Sequence, residues 1–209
     1  MSRLLHIEAS PRGDRSRSSQ LAARLIANLK SVDPELGVDH LNLWREELPA
    51  FDGDLIAAKY ARLAGDDFTP QQADAWSEVD AMVGRLDAAD RLVISTPLWN
   101  FSIPYRLKHW IDLVTQPGLS FSFDPEHGYR PLLRRRPVDV ILTSAGDYRP
   151  GPGRGRPEFA TSYLREALGF IGLRDVRFIP VGPTVGGERD VATAVARAEA
   201  DIDRVREEA

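Results

Sequence analysis

Residues 91–104 read Arg91-Leu92-Val93-Ile94-Ser95-Thr96-Pro97-Leu98-Trp99-Asn100-Phe101-Ser102-Ile103-Pro104. Leu92, Val93 and Ile94 form a nearly continuous apolar run, the pattern of a strand buried on both faces. Such a strand needs helices above and below it. Helix-period stretches flank it. Upstream, Trp76, Val79, Val83 and Leu86 fall on one helical face; downstream, Leu107, Ile111 and Val114 do the same, with Pro104 expected in that helix's first turn.

The same alternation extends to both ends of the chain. Leu4, Leu5, Ile7 and Ala9 read as a first strand, followed by a helix face of Leu21, Leu25, Ile26 and Leu29. Val38, Leu41 and Leu43 suggest a second strand, interrupted by Asp39, His40 and Asn42 as an edge strand would be. The stretch 44–67 is mixed and is assigned no element. Val138, Val140, Ile141 and Leu142 make a fourth strand, and Phe159, Tyr163, Ala167 and Phe170 space a helix. Val176, Phe178 and Ile179 make a fifth strand, and Val191, Val195, Ala198, Ile202 and Val205 a long last helix. Five strand–helix pairs in series specify an α/β fold: three layers around a doubly wound, parallel, five-stranded sheet, flavodoxin-like, with strand order 2-1-3-4-5. No repeat or linker divides residues 1–209, which read as a single domain.

Composition narrows the function. The chain has 209 residues, 43% hydrophobic and 28% charged, which excludes a disordered protein. It has no cysteine, so a disulfide scaffold, a thiol nucleophile and an iron–sulfur cluster are excluded. A formal charge of −4 gives no reason to expect nucleic acid. The apolar runs are strand-sized, so no membrane span is expected, and Met1-Ser2-Arg3 leads straight into a strand, so no signal peptide is expected either. The expectation is a cytoplasmic protein. His6, His40, His109 and His127 are scattered without metal-site spacing, so no metal is expected, and His6, within a strand, reads as packed.

Ligands of open α/β sheets bind beyond the carboxyl ends of the strands, where strand order reverses. Three loops lie there. The first, Ser10-Pro11-Arg12-Gly13-Asp14-Arg15-Ser16-Arg17-Ser18-Ser19, carries four hydroxyls and three arginines and runs into a helix N-terminus, an anion site. It lacks the glycine fingerprints of dinucleotide and Walker sites, and what remains suits a compact phosphomonoester. The alternative is a plain helix cap at Ser18 or Ser19. The second loop, Thr96 to Pro104, sets Trp99 and Phe101 around Asn100, a setting for a planar heterocycle; core packing of both aromatics is the alternative. The third, Thr143-Ser144-Ala145-Gly146-Asp147-Tyr148-Arg149, brings backbone close to a ligand edge, or is an ordinary glycine turn. Together the loops describe one ligand, phosphate at one end and flat ring at the other. Flavin mononucleotide (FMN) has that shape.

At these residues the chain resembles the FMN-dependent NADH-azoreductases, also called FMN-dependent NADH:quinone oxidoreductases, over nearly its whole length. The matching segments are Ser10 with Ser16-Arg17-Ser18, Pro97-Leu98-Trp99-Asn100-Phe101, Leu107-Lys108, Asp112-Leu113, Gly118 with Phe121 and Phe123, Thr143-Ser144, and Leu168-Gly169-Phe170-Ile171-Gly172. The resemblance implies that Ser10, Ser16, Arg17 and Ser18 hold the FMN phosphate. It implies that Pro97, Leu98, Trp99, Asn100 and Phe101 hold the flavin ring, and that Ser144, Ala145, Gly146 and Asp147 line its pyrimidine end. Phe121, Phe123 and Tyr148 are the expected substrate pocket. The first two, with Tyr129 of the same insertion, are candidates to fold over the flavin, to pack against a second subunit or to pack within the monomer.

The implied activity passes two electrons by a ping-pong route from NADH or NADPH to quinones and to azo or nitroaromatic compounds, in a homodimer, with no catalytic protein side chain required. The alternative is a flavodoxin-like electron carrier; the small net charge and the insertion near Phe121 favour the enzyme. The chain departs from the family at two places. Leu98-Trp99 stands where Met-Tyr is frequent. Ala145-Gly146-Asp147 stands where Arg-Gly-Gly is frequent, which removes a cation and adds an anion beside the ring. The run Arg134-Arg135-Arg136 reads as a solvated face or an attraction for a phosphorylated nicotinamide, and residues 149–157 read as a mobile Pro-Gly-Arg loop.

Overall fold

The computed structural model describes residues 2–148 and 157–208; all but the last residue of the Pro-Gly-Arg segment lies outside them. The described elements are β1 (Arg3–Glu8), α1 (Arg17–Val32), β2 (Gly37–Asn42), α2 (Gly53–Ala64), α3 (Pro70–Asp87), β3 (Arg91–Pro97), α4 (Tyr105–Val114), β4 (Phe121–Asp124), β5 (Gly128–Pro131), β6 (Pro137–Thr143), α5 (Ala160–Phe170), β7 (Asp175–Val181) and α6 (Glu188–Glu207).

Five strands pair in parallel in the order β2-β1-β3-β6-β7. The expected order 2-1-3-4-5 is corrected to 2-1-3-6-7. The insertion at Phe121 and Phe123 forms two antiparallel strands of its own, β4 and β5, which stand outside the sheet. Short strands with no neighbour in the main sheet carry no long apolar run, so the sequence pattern does not display them.

Strand alternation sends side chains to opposite faces. Leu5, Ile7, Ile94 and Val140 meet Leu55, Trp76, Leu107 and Leu164 from α2, α3, α4 and α5. Leu4, Val93, Ile141 and Ile179 meet Leu21 and Leu25 of α1 and Ala198 and Ile202 of α6. Each buried Leu, Ile or Val contributes about 1.5–3 kcal/mol, and the two layers together clamp the central strands and fix their carboxyl ends.

Local differences from the sequence expectation have physical causes. The unassigned stretch holds α2, capped by Asp52, whose Oδ1 accepts from the N–H of Leu55 at 3.2 Å. Only Leu55 and Ala58 of α2 are buried, while Ile56, Tyr60 and Leu63 are exposed, which blurs the helical period. In α5 the buried residues are Ala160, Leu164 and Leu168; the larger Phe159 and Phe170 of the expected face are exposed. Pro104 precedes α4 as its cap rather than entering the first turn.

The arginine run is not a solvated face throughout. Arg136 is buried, and its guanidinium donates to the carbonyls of Leu86 at 2.8 Å and Asp87 at 3.0 Å, closing the C-terminal end of α3. The run precedes β6, at the end of the sheet away from the three loops.

Candidate functional site

The site begins where β1 ends. Ala9 donates its N–H to the Ser95 carbonyl at 2.9 Å, which keeps the chain in register with β3 for one residue more. Ser10 is buried, and a single 3₁₀ turn over Gly13–Arg15 reverses the chain, with Gly13 at φ +54°. Ser16 is the N-cap of α1: its Oγ accepts the Ser19 N–H at 3.3 Å and lies 3.1 Å from Ser18 Oγ. Ser16 and Ser18 are both buried, and Arg12, Arg15 and Arg17 are exposed around them. Arg17 and Ser18 contribute first-turn N–H groups, which the helix itself supplies with no carbonyl. Three sheltered hydroxyls, first-turn donors and the positive end of a helix dipole form a phosphate-type donor set.

The second loop is a tight turn with unusual backbone. Trp99 and Ser102 exchange two hydrogen bonds, 2.8 Å and 2.9 Å, closing a two-residue hairpin. The two residues inside it, Asn100 at φ +46° and Phe101 at φ +69°, are both left-handed. Asparagine tolerates that region; phenylalanine does not, so the turn is held from outside. Leu98 N–H donates to the Thr143 carbonyl at 2.7 Å, and the Phe101 carbonyl accepts the Phe159 N–H at 2.7 Å. The Phe101 side chain stays 42% exposed, so it does not fill the core.

The third loop leaves β6 at Thr143. Ser144 donates its N–H to the Val181 carbonyl at 3.0 Å, and its own carbonyl accepts the N–H and hydroxyl of Thr184, each at 2.9 Å. Ser144 Oγ donates to the Gly146 carbonyl at 2.8 Å. Ala145 and Gly146 are exposed, Asp147 and Tyr148 half-buried, and the Tyr148 ring packs beside Gly146. Gly182 supports this loop from below: a Cβ there would stand 2.5 Å from both the Gly146 carbonyl oxygen and Ser144 Oγ.

One aromatic residue of the site escaped the sequence reading. Trp44 follows β2 and donates its indole N–H to the Ala9 carbonyl at 3.0 Å. Its ring meets Trp99 at 5.8 Å and, edge-on, Tyr105 at 5.4 Å. A tryptophan placed directly after a strand, at the carboxyl edge of the sheet, is the signal that could have found it. Beside this group lies a cavity of about 440 Å³, lined by Trp99, Asn100, Ser102, Ile103, Tyr105, Lys108 and Tyr163. Burial, then the charge of Asp112, pushes the Tyr163 phenol up to about 12, so it stays a neutral donor.

The hairpin aromatics form a separate group. Phe121 is buried against Tyr129 and Phe170, while Phe123 and Tyr129 are 52% and 62% exposed. No ring contact among the described residues joins them to Trp44, Trp99 or Tyr105. Also among the described residues, no cluster of three histidine or acidic side chains is arranged to hold a metal ion, and no helix is long and apolar enough to cross a membrane.

Hydroxyl donors at one strand end and an aromatic turn at the next fit a molecule with a phosphate and a planar heterocycle, the chemistry of FMN. The architecture is that of the flavodoxin-like proteins, and the family described as Flavodoxin-like fold matches residues 2–205. The chain is 50% identical over 186 residues to FMN-dependent NADH:quinone oxidoreductase 1 of Bradyrhizobium diazoefficiens, covering 89% of each chain. It is 44% identical to FMN-dependent NADH:quinone oxidoreductase of Ruegeria pomeroyi over 185 residues, covering 88% of this chain and 91% of the relative. An azoreductase structure from Bacillus anthracis strain Sterne superposes with a TM-score of 0.88 at 25% identity, covering 100% of both chains. The chain belongs to the FMN-dependent NADH:quinone oxidoreductase family, built on the flavodoxin-like fold.

Proposed function

We propose that this chain is an FMN-dependent NAD(P)H oxidoreductase, passing two electrons by a ping-pong route from NADH or NADPH to quinones and to azo or nitroaromatic compounds. The observation that carries the reading is the juxtaposition of buried Ser10, Ser16 and Ser18 with the left-handed Asn100–Phe101 turn, on the adjacent strands β1 and β3. The names of its relatives support the reading over an electron carrier. Bound FMN supplies the redox chemistry.

The protein's own part is binding and shape. Ser10, Ser16, Arg17 and Ser18 hold the phosphate by charge-assisted hydrogen bonds. Pro97 to Phe101 border the ring, Ser144 to Asp147 meet its polar edge, and Phe123 and Tyr148 shape the acceptor side, while Phe121 is buried behind them against Tyr129 and Phe170. The cavity beside Trp99 lies at the ring end, and donor and acceptor take turns in it. Residues 1–209 act as one cytoplasmic domain, and two copies associate. The exposed rings of Phe123, Tyr129 and Phe170 give that association its apolar contact.

Anaerobic addition of NADH to the FMN-loaded protein bleaches the flavin, and a quinone restores the colour. Double-reciprocal plots at several fixed quinone concentrations are parallel, and light scattering returns twice the chain mass. Converging lines reject the shared space, absence of bleaching rejects the oxidoreductase, and a fully active monomer rejects the dimer.

A further inference from the structure

Glu8, the last residue of β1, lies two positions before Ser10 and is only 6% exposed. A buried carboxylate beside an anion-binding loop is unfavourable unless its charge is spent on donors. Three donors reach it. Ser19 Oγ–H donates to Oε1 at 2.7 Å, and His40 Nε2 and Asn42 Nδ2 donate to Oε2 at 2.9 Å and 3.0 Å.

Those donors come from two elements. Ser19 is in the first turn of α1, and His40 and Asn42 are on β2. The Glu8–Ser19 bond therefore joins the strand that enters the hydroxyl loop to the helix that leaves it, closing a span of 11 residues. The network continues inward, since Ser19 N–H donates to Ser16 Oγ, itself beside Ser18 Oγ. It continues sideways as well. Asn42 Oδ1 accepts the Trp44 N–H at 3.0 Å, and the Glu8 carbonyl accepts the Leu43 N–H at 3.0 Å. One side chain thus ties the hydroxyl loop to β2, the strand that leads into Trp44. Because its hydroxyl hydrogen is given to Glu8, Ser19 stands apart from Ser10, Ser16 and Ser18 as a donor.

We propose that Glu8 is a positioning residue for phosphate recognition: by holding Ser19 against β1 and β2 it fixes the placement of Ser10, Ser16 and Ser18, and so sets the preference for a phosphorylated flavin over an unphosphorylated one. The inference rests on the FMN reading above and adds a residue to it. Glu8 touches no ligand in this role. It acts through Ser19, with its charge satisfied on the far side of the loop.

Fluorescence-quenching titrations of the apo-protein with FMN and with riboflavin, which has the ring but no phosphate, test it in wild type, Ser19→Ala, Glu8→Ala and Glu8→Gln. Ser19→Ala and Glu8→Ala lose about tenfold in FMN affinity, the scale of one hydrogen bond to a charged group, and hold riboflavin affinity within about twofold. Glu8→Gln recovers part of the loss, because its amide oxygen still accepts from Ser19 and its N–H₂ can donate to the other tautomer of His40, while the Asn42 amide loses its acceptor. Equal losses for FMN and riboflavin mean a merely structural role and overturn the proposal, as does an unchanged FMN affinity in Ser19→Ala. If Glu8→Ala does not fold, Ser19→Ala, which removes no charge, decides alone. Equal affinities of the wild type for the two flavins would overturn the phosphate reading itself, a failure seen before any substitution is made.

Discussion

The N–H of Phe159 reaches the carbonyl of Phe101 at 2.7 Å, so the residue that opens α5 holds shut the left-handed turn at the end of β3. The bond is backbone to backbone and survives replacement of either side chain. Left-handed backbone costs a non-glycine residue roughly 1–2 kcal/mol, and glycine costs about 0.5–1 kcal/mol in unfolded-state entropy, so the two nearly cancel. Phe101→Gly therefore changes apo-protein stability by less than about 1 kcal/mol while FMN affinity falls severalfold. Denaturant unfolding and flavin titration read the two effects. A large stability loss with unchanged affinity would make Phe101 a core residue instead.

Gly182 gives a second, steric test. A Cβ would meet the Gly146 carbonyl and Ser144 Oγ at 2.5 Å, closer than side-chain contacts normally come. Gly182→Ala must push the loop 144–147 outward or break the Ser144–Gly146 bond. We expect weaker FMN and riboflavin binding by the same factor, because the disturbance is at the ring end. A loss confined to FMN would contradict that placement.

The hydroxyl loop separates binding from folding. Ser16 caps α1, and replacing such a cap by alanine costs typically about 1 kcal/mol. Ser18 accepts no cap bond. Ser18→Ala should weaken FMN with little change in stability, Ser16→Ala should weaken both, and the double variant should lose at least about tenfold in FMN affinity. Unchanged FMN affinity in the double variant would remove the phosphate from this loop.

These residues were legible in the sequence because their types are unusual for their places. Serines crowd a strand-to-helix turn, and an Asn-Phe pair follows a fully apolar strand. The central sheet was legible for the same reason, from Leu92-Val93-Ile94 outward. Other features left no periodic trace. β4 and β5 are only four residues each, and α2 buries just Leu55 and Ala58. Arg136 looks like any surface arginine until the carbonyls of α3 are placed around it. Trp44 and Glu8 were missed because each acts through partners distant in sequence: Ala9 and Trp99 for one, Ser19, His40 and Asn42 for the other.

His6 gives the pH test. It is 7% exposed, bonds Ser95 Oγ at 2.9 Å and stacks on His40 at 4.9 Å with the rings 10° from parallel. Burial, and then His40, lower its pKa from 6.5 to about 4, against a smaller upward pull from Glu8. The folded chain therefore refuses a proton that the unfolded chain accepts below about pH 6.5. Stability must fall as pH drops from 6.5 towards 4 and, for this group, level off below that. At pH 4.5 the loss is roughly 2–3 kcal/mol. The carboxylates held below their usual range, Asp39 beside Arg85 and Asp90 beside Arg134, lose their stabilising effect only at lower pH. The window between 4 and 6.5 is thus where His6 stands out from them. His6→Asn keeps a partner for Ser95 but cannot titrate. Urea unfolding of the apo-protein at pH 7 and pH 4.5 should show the wild type losing about 2 kcal/mol more than His6→Asn between the two. Equal losses in both proteins would mean that His6 takes up its proton without unfolding, and that its burial against Ser95 and His40 is looser than the geometry states.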